Sequence, residues 1–230
     1  MSWLTKFFTS SIGNKVLMSF TGLFLCLFLI VHLAGNLQLL IDDGGESFNA
    51  YVLVMESNLL IKVIAYALYL AIIAHTIKGI LIYIQNRKAR GNVRYAVKSG
   101  RGSTWASRNM VWLGSLVFVF IAIHMAQFWY KFKFTHLEES AFYNVVDLGF
   151  EQAWIVIFYV LGQIVLAWHL VHGFQSAFQT IGWRHGKYTK VIQNIGYGFA
   201  ILVPLLFAII PILMFYDIHP LPEFKVIPGQ

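Results

Sequence analysis

The sequence predicts an all-α membrane protein: five transmembrane helices forming a bundle, with the N-terminus cytoplasmic and the C-terminus on the outer side. Three observations predict the bundle. Apolar residues make up 58% of the chain and charged residues 12%, with a mean hydropathy of +0.67, a balance no ordinary soluble domain shows. Four stretches lack any Asp, Glu, Lys or Arg: Val16 to Leu40, Asn109 to Tyr130, Gln152 to Trp183 and Val191 to Tyr216. Each exceeds the ~20 residues that cross a bilayer. All ten acidic residues fall in alternate connections, so the charge pattern fixes which ends of the helices share a side.

The spans follow in order. The first covers about 15–40; it lies too far from the N-terminus for a cleaved signal peptide, and no small-residue cleavage site follows it. The second, 59–86, is interrupted by Lys62 near one end and by Lys78 about two turns from the other, where a lysine can snorkel to the interface. The third covers 107–131, the fourth 152–182, longer than a bilayer needs, and the fifth 190–216. No low-complexity segment, repeat or long linker divides the chain, and the loop around Gly91, Gly100 and Gly102 is short, so residues 1–230 read as one domain.

Orientation follows from Lys and Arg, which collect on the cytoplasmic side. Lys6 and Lys15 precede the first span; Arg87, Lys88, Arg90, Arg94, Lys98, Arg101 and Arg108 fill the second connection, and Arg184, Lys187 and Lys190 the fourth. The acids, from Asp42, Asp43, Glu46 and Glu56 through Glu138, Glu139, Asp147 and Glu151 to Asp217 and Glu223, mark the other side. The net charge of +7 therefore expresses topology; a nucleic-acid binder would carry it on a polar domain that this chain lacks. Cys26, the only cysteine, excludes internal disulfides, iron-sulfur ligation and C-x-x-C-H haem attachment.

Four of the eight histidines lie inside these apolar stretches, one in each of the first four spans: His32, His75, His124 and His169. A polar side chain in hydrocarbon is costly unless it has a partner, and no intramembrane carboxylate offers one. At ~1.5 Å per residue, His32 lies about 25 Å and His124 about 24 Å from the inner edge, both toward the outside. His75 lies about 18 Å from that edge and His169 about 22 Å along a span that overshoots, so both fall closer to the inside of their own helices. Two histidines at each of two depths are what two stacked bis-imidazole haems require, pairing His32 with His124 and His75 with His169. Single histidines hydrogen-bonded to neighbouring helices are the structural alternative. Zinc or iron transport would call for carboxylate ligands at one depth.

His172, three residues after His169, projects from nearly the same face and is a second candidate for that ligand position, or a contact for a haem propionate or a quinone. Ala34, Gly35, Gly79, Gly162 and Gly173 lie near the histidines, where small residues let a flat macrocycle approach a helix. His136, His185 and His219 fall in loops or near the terminus and are assigned no site.

Around these residues the chain resembles the cytochrome b membrane-anchor subunit of succinate dehydrogenase and fumarate reductase, in its single-chain, five-helix, two-haem form. The resemblance covers almost the whole length. Its landmarks are LIVHLAGN around His32, ESFNAYVLVMESN before the second span, IIAHTIKG around His75, IAIHMAQF around His124 and AWHLVHGFQSAF around His169, while SIGNKVLMSFTGL is similar to the N-termini of Bacteroidetes-type members. The resemblance implies that His75 and His169 hold the proximal haem b and His32 and His124 the distal one. It favours His169 over His172, because a polar residue and a glycine, here His172 and Gly173, follow the family's ligand. A histidine in the first of those places departs from the pattern.

Glu56 resembles an acidic residue linked to quinone chemistry, which implies quinone-coupled proton transfer; a plain surface carboxylate is the alternative. No G-x-G-x-x-G fingerprint or cysteine cluster is present, so the resemblance implies partners that supply FAD and iron-sulfur clusters: a flavoprotein and an iron-sulfur subunit on the cytoplasmic face of the bacterial inner membrane. Electrons from succinate would pass to the proximal haem, the distal haem and menaquinone. The alternatives are the cytochrome b anchor of another respiratory enzyme, such as hydrogenase or formate dehydrogenase, and a haem-free transporter with proton-relaying histidines. Cytochrome b of the bc type places two widely spaced ligands on each of two helices, and no such pair occurs here.

Overall fold

The computed structural model describes residues 6–7, 10–91, 104–135, 138, 141–183 and 186–221. Among these the structure is almost entirely helical, with turns between the helices and an isolated parallel bridge between Ile41 and Leu221. Five helices are long and apolar enough to cross a membrane.

Helix α1, Ser11–Asn36, begins where the Ser10 hydroxyl accepts the Gly13 N–H at 2.9 Å, and a 3₁₀ turn, Leu37–Leu40, continues it. Gly44 and Gly45, with φ of 65° and 87°, then turn the chain into α2, Glu46–Ser57. Asn58 caps α3, Leu59–Arg90, by accepting the N–H groups of Leu60 and Ile61. Helix α3 closes with Arg87, Lys88 and Arg90 in its last turn, where cations meet the negative end of the helix dipole. A single turn, α4, Trp105–Arg108, precedes α5, Met110–Phe134, which contains a π-helical turn at Met125–Trp129. Helix α6, Phe142–Phe150, buries Phe142, Val146 and Phe150 at four-residue spacing. Helices α7, Ala153–Thr180, and α8, Thr189–Phe215, complete the chain.

The membrane helices differ from the expected spans by no more than four residues at any end. Charge ends an apolar run without ending a helix, so α3 continues through Arg87 and Lys88. Helices α2 and α6, the two surface elements, were not expected from the charge-free runs.

Helix α1 packs on α3 and α7, and α5 packs on the same two, so these four helices form a ring with α1 opposite α5 and α3 opposite α7. The one membrane helix without a histidine in its span, α8, lies outside the ring against α7 and α1. A cluster of buried apolar side chains, including Leu39, Phe48, Phe128, Phe150 and Tyr159, gathers where α2 and α6 cover the bundle end.

That end also carries Asp42, Asp43, Glu46, Glu56, Glu138, Asp147, Glu151 and Asp217, together with Lys62, Lys131 and Lys133. The opposite end carries Lys6, Lys15, Arg87, Lys88, Arg90, Arg108, Lys187 and Lys190. Arg94, Lys98, Arg101, Arg184, Glu139, Glu223, Gly100 and Gly102 lie outside the described residues. Exposed aromatic side chains ring both ends: Trp105, Trp112, Trp183 and Tyr188 at the basic end, Tyr66, Tyr130, Trp154 and Tyr216 at the acidic one. Two such belts are the pattern of a helix bundle whose polar ends face water.

Lys78 does not snorkel free. Its amine donates to Oδ1 of Asn14 at 2.8 Å, and Asn14 is 2% exposed near the start of α1. The amine reaches toward the basic end but meets a buried amide there, a partner on another helix that depth counting does not reveal.

Candidate functional site

The four membrane histidines meet in two pairs across the diagonals of the ring. His75 on α3 and His169 on α7 have ring centroids 6.3 Å apart, and His32 on α1 and His124 on α5 have theirs 5.8 Å apart. The helices beside each pair carry the matching space. A Cβ on Gly22 of α1 would lie 3.2 Å from Cε1 of His75, and one on Gly114 of α5 would lie 3.5 Å from Cε1 of His169. Ten residues separate Gly22 from His32, and ten separate Gly114 from His124. The two pairs therefore sit at levels about 15 Å apart along the bundle. Both α1 and α5 give a histidine to one level and a glycine to the other.

The glycines expected near the imidazoles serve other contacts. Gly35 faces Tyr51, Gly79 the end of Met18, Gly162 Phe120 and Gly173 the end of Met110, while Ala34 is exposed. The small residues that do face the imidazoles, Gly22 and Gly114, were not among those expected. Their signal was the repeated ten-residue offset from a histidine in the first and third spans.

Hydrogen bonds set the free nitrogen on two of the rings. The Thr21 hydroxyl donates to the Leu17 carbonyl at 2.8 Å and lies 3.1 Å from Nδ1 of His75, so it accepts the Nδ1 proton and leaves Nε2 unprotonated. The Tyr159 hydroxyl donates to Oε1 of Gln127 at 3.1 Å and accepts from Nδ1 of His124 at 3.2 Å, with the same result. The other two rings differ. The Asn36 amide donates to the His32 carbonyl at 2.7 Å and lies 3.3 Å from Nδ1 of His32, which then accepts; a proton on Nδ1, as ligation through Nε2 needs, would displace this amide from the ring nitrogen. Among the described residues, Nδ1 of His169 is buried without a hydrogen-bond partner.

The walls around the His32–His124 pair are aromatic. Phe28 stacks on His32 at 5.0 Å and Phe207 of α8 packs at 5.5 Å, while Phe120 and Phe128 flank His124 at 6.0 and 5.7 Å. Two imidazoles on opposite sides of one metal ion, each bonded at about 2.0 Å, would have centroids about 6.3 Å apart, close to both observed separations. Among the described residues no three His, Cys, Asp or Glu side chains cluster. Two-imidazole sites of this kind suit an ion whose other positions a macrocycle fills, and they fall short of the three or four protein ligands that hold zinc. The donor set fits haem.

His172 is half-buried one turn along α7, and the ring that meets His75 is that of His169. Glu56, at the end of α2, accepts from Lys133 in the last turn of α5 at 2.8 Å, with both side chains about one-third exposed. The pair lies at the end of the bundle nearer His32 and His124. His219 lies 3.1 Å from Asp217 and far from either histidine pair in sequence and fold. His136 and His185 lie outside the described residues.

Comparison of the chain with protein-family models, with curated proteins and with solved structures finds no match.

Proposed function

We propose that the chain is the di-haem cytochrome b membrane anchor of a succinate:quinone oxidoreductase, with His75 and His169 ligating one haem b and His32 and His124 the other. The observation that carries this reading is the geometry of the two pairs: diagonal, two imidazoles at each level, and one level above the other in an apolar bundle. Iron held between such imidazoles shuttles single electrons, at potentials that the ligands and their surroundings tune.

Each contribution of the protein has a physical role. Thr21 and Tyr159 hold the imidazoles of His75 and His124 by their Nδ1 protons, which fixes the ring angle and raises the basicity of the free nitrogen. Gly22 and Gly114 keep helix side chains away from the rings of His75 and His169. Phe28, Phe120, Phe128 and Phe207 keep water from the His32–His124 level.

The positive-inside rule puts the basic end in the cytoplasm of a bacterial cell, with both termini placed accordingly. Arg87, Lys88, Arg90, Arg108, Lys187 and Lys190 then face the iron-sulfur subunit and its flavoprotein partner, whose FAD and clusters deliver the electrons of succinate. The His75–His169 level lies nearer that face and the His32–His124 level nearer menaquinone. Resemblance carries the succinate assignment and the proton-transfer role of Glu56. Co-purification of the anchor with the soluble subunits, followed by a succinate-to-menaquinone assay, tests it; an anchor that recovers a different electron donor contradicts it.

A further inference from the structure

A cleft of about 430 Å³ opens between α5, α6 and the start of α7, within the range of small-molecule sites. It borders the His32–His124 level. Ile123, Leu148 and Trp154, exposed by 43, 61 and 67%, form its rim on the apolar flank of the bundle, so its contents would come from the lipid phase. Gln127 lines it, and so does Lys131 at its polar mouth.

Gln127 is unusual in its connections. Its Oε1 accepts from Tyr159, whose oxygen accepts from Nδ1 of His124. Its Nε2 reaches, among the described residues, the Gly149 carbonyl at 3.4 Å, a long contact for such a donor. The Gly149 carbonyl belongs to the last turn of α6, where carbonyls lack partners within the helix. An amide proton is thus presented to the cleft on a weak internal acceptor. The π turn at Met125–Trp129 supports this arrangement, since one wide turn directly after His124 re-aims the side chains that follow, and such turns mark functional sites.

We infer that this cleft binds the headgroup of a lipid-soluble quinone, with the Gln127 amide donating to a ring carbonyl and the tail leaving over Ile123 and Leu148. The inference rests on the cytochrome reading for the class of ligand.

The test is a fluorescence-quench titration of the full chain in detergent with 2-heptyl-4-hydroxyquinoline N-oxide, a quinol analogue. Gln127→Leu should raise its Kd about tenfold, the loss of one hydrogen bond. Ala126→Trp, which fills the cleft from an exposed position and leaves Gln127 itself in place, should abolish saturable binding. Wild-type affinity in both variants overturns the site, and so does affinity lost in Glu56→Gln but kept in Gln127→Leu. A b-type spectrum recorded on each sample keeps the outcomes apart. Haem present with binding unchanged rejects the cleft alone, whereas haem absent from the wild-type chain rejects the cytochrome reading on which the quinone assignment rests.

Discussion

His75 and His169 bring their imidazole centroids to 6.3 Å from helices that stand opposite each other in the ring, and His32 and His124 do the same at 5.8 Å about 15 Å away. Neither pair shares a helix with the other. Each level should therefore be removable alone. His75→Ala is expected to lose one haem and spare the other, and His124→Ala to lose the complementary one, read as haem per chain and by the split of the redox titration. Loss of neither, or of both from either variant, would refute the pairing.

Gly22 offers a sharper test because it is not a ligand. A side chain there enters the space of the His75 ring, whereas one on Gly79 meets only the flexible end of Met18. Gly22→Val should reproduce the loss seen in His75→Ala, and Gly79→Val should retain both haems. Equal haem content in the two variants would show that the space beside His75 plays no part.

The ion pair between Glu56 and Lys133 is about one-third exposed on both sides, and such pairs contribute under ~1 kcal/mol. Glu56→Gln and Lys133→Gln should then lower thermal stability slightly and alike. Quinone turnover should separate them, falling further in Glu56→Gln because only the carboxylate can exchange a proton. Turnover unchanged in Glu56→Gln leaves it a clamp between α2 and α5.

Outside the spans, Asp147 on α6 carries a raised pKa, first because burial disfavours its charge and then because Asp217 and Glu151 repel it, with His219 opposing. A carboxyl whose folded pKa lies above its unfolded value binds more protons when folded, so its ionisation costs stability above the folded value. Asp147→Asn should raise the melting temperature at neutral pH. The gain should shrink as pH falls through the folded pKa and vanish below the unfolded value of about 3.9. A gain independent of pH would assign the effect to packing.

Much of this was legible in the residues. Charge-free runs longer than a bilayer identify α1, α3, α5, α7 and α8 because hydrocarbon tolerates few exceptions, and counting depth from Lys15, Arg87, Arg108 and Arg184 sorts His32 with His124 and His75 with His169. The depth count could not separate His169 from His172, which share a helix face one turn apart; ring contact with His75 distinguishes them. Helix α6 was hidden because Phe142, Val146 and Phe150 form an amphipathic pattern too short to stand out among longer apolar runs. Thr21, Tyr159 and Gln127 carry no local signature at all. Their importance comes from partners 54, 35 and 32 residues away in sequence, and only folding brings those together.

The most direct measurement is a reduced-minus-oxidised absorption spectrum of the purified chain with haem quantified per polypeptide. The account predicts b-type bands and two haems per chain, both low-spin as bis-imidazole ligation requires. A chain folded in detergent that shows no b-type absorbance would contradict it.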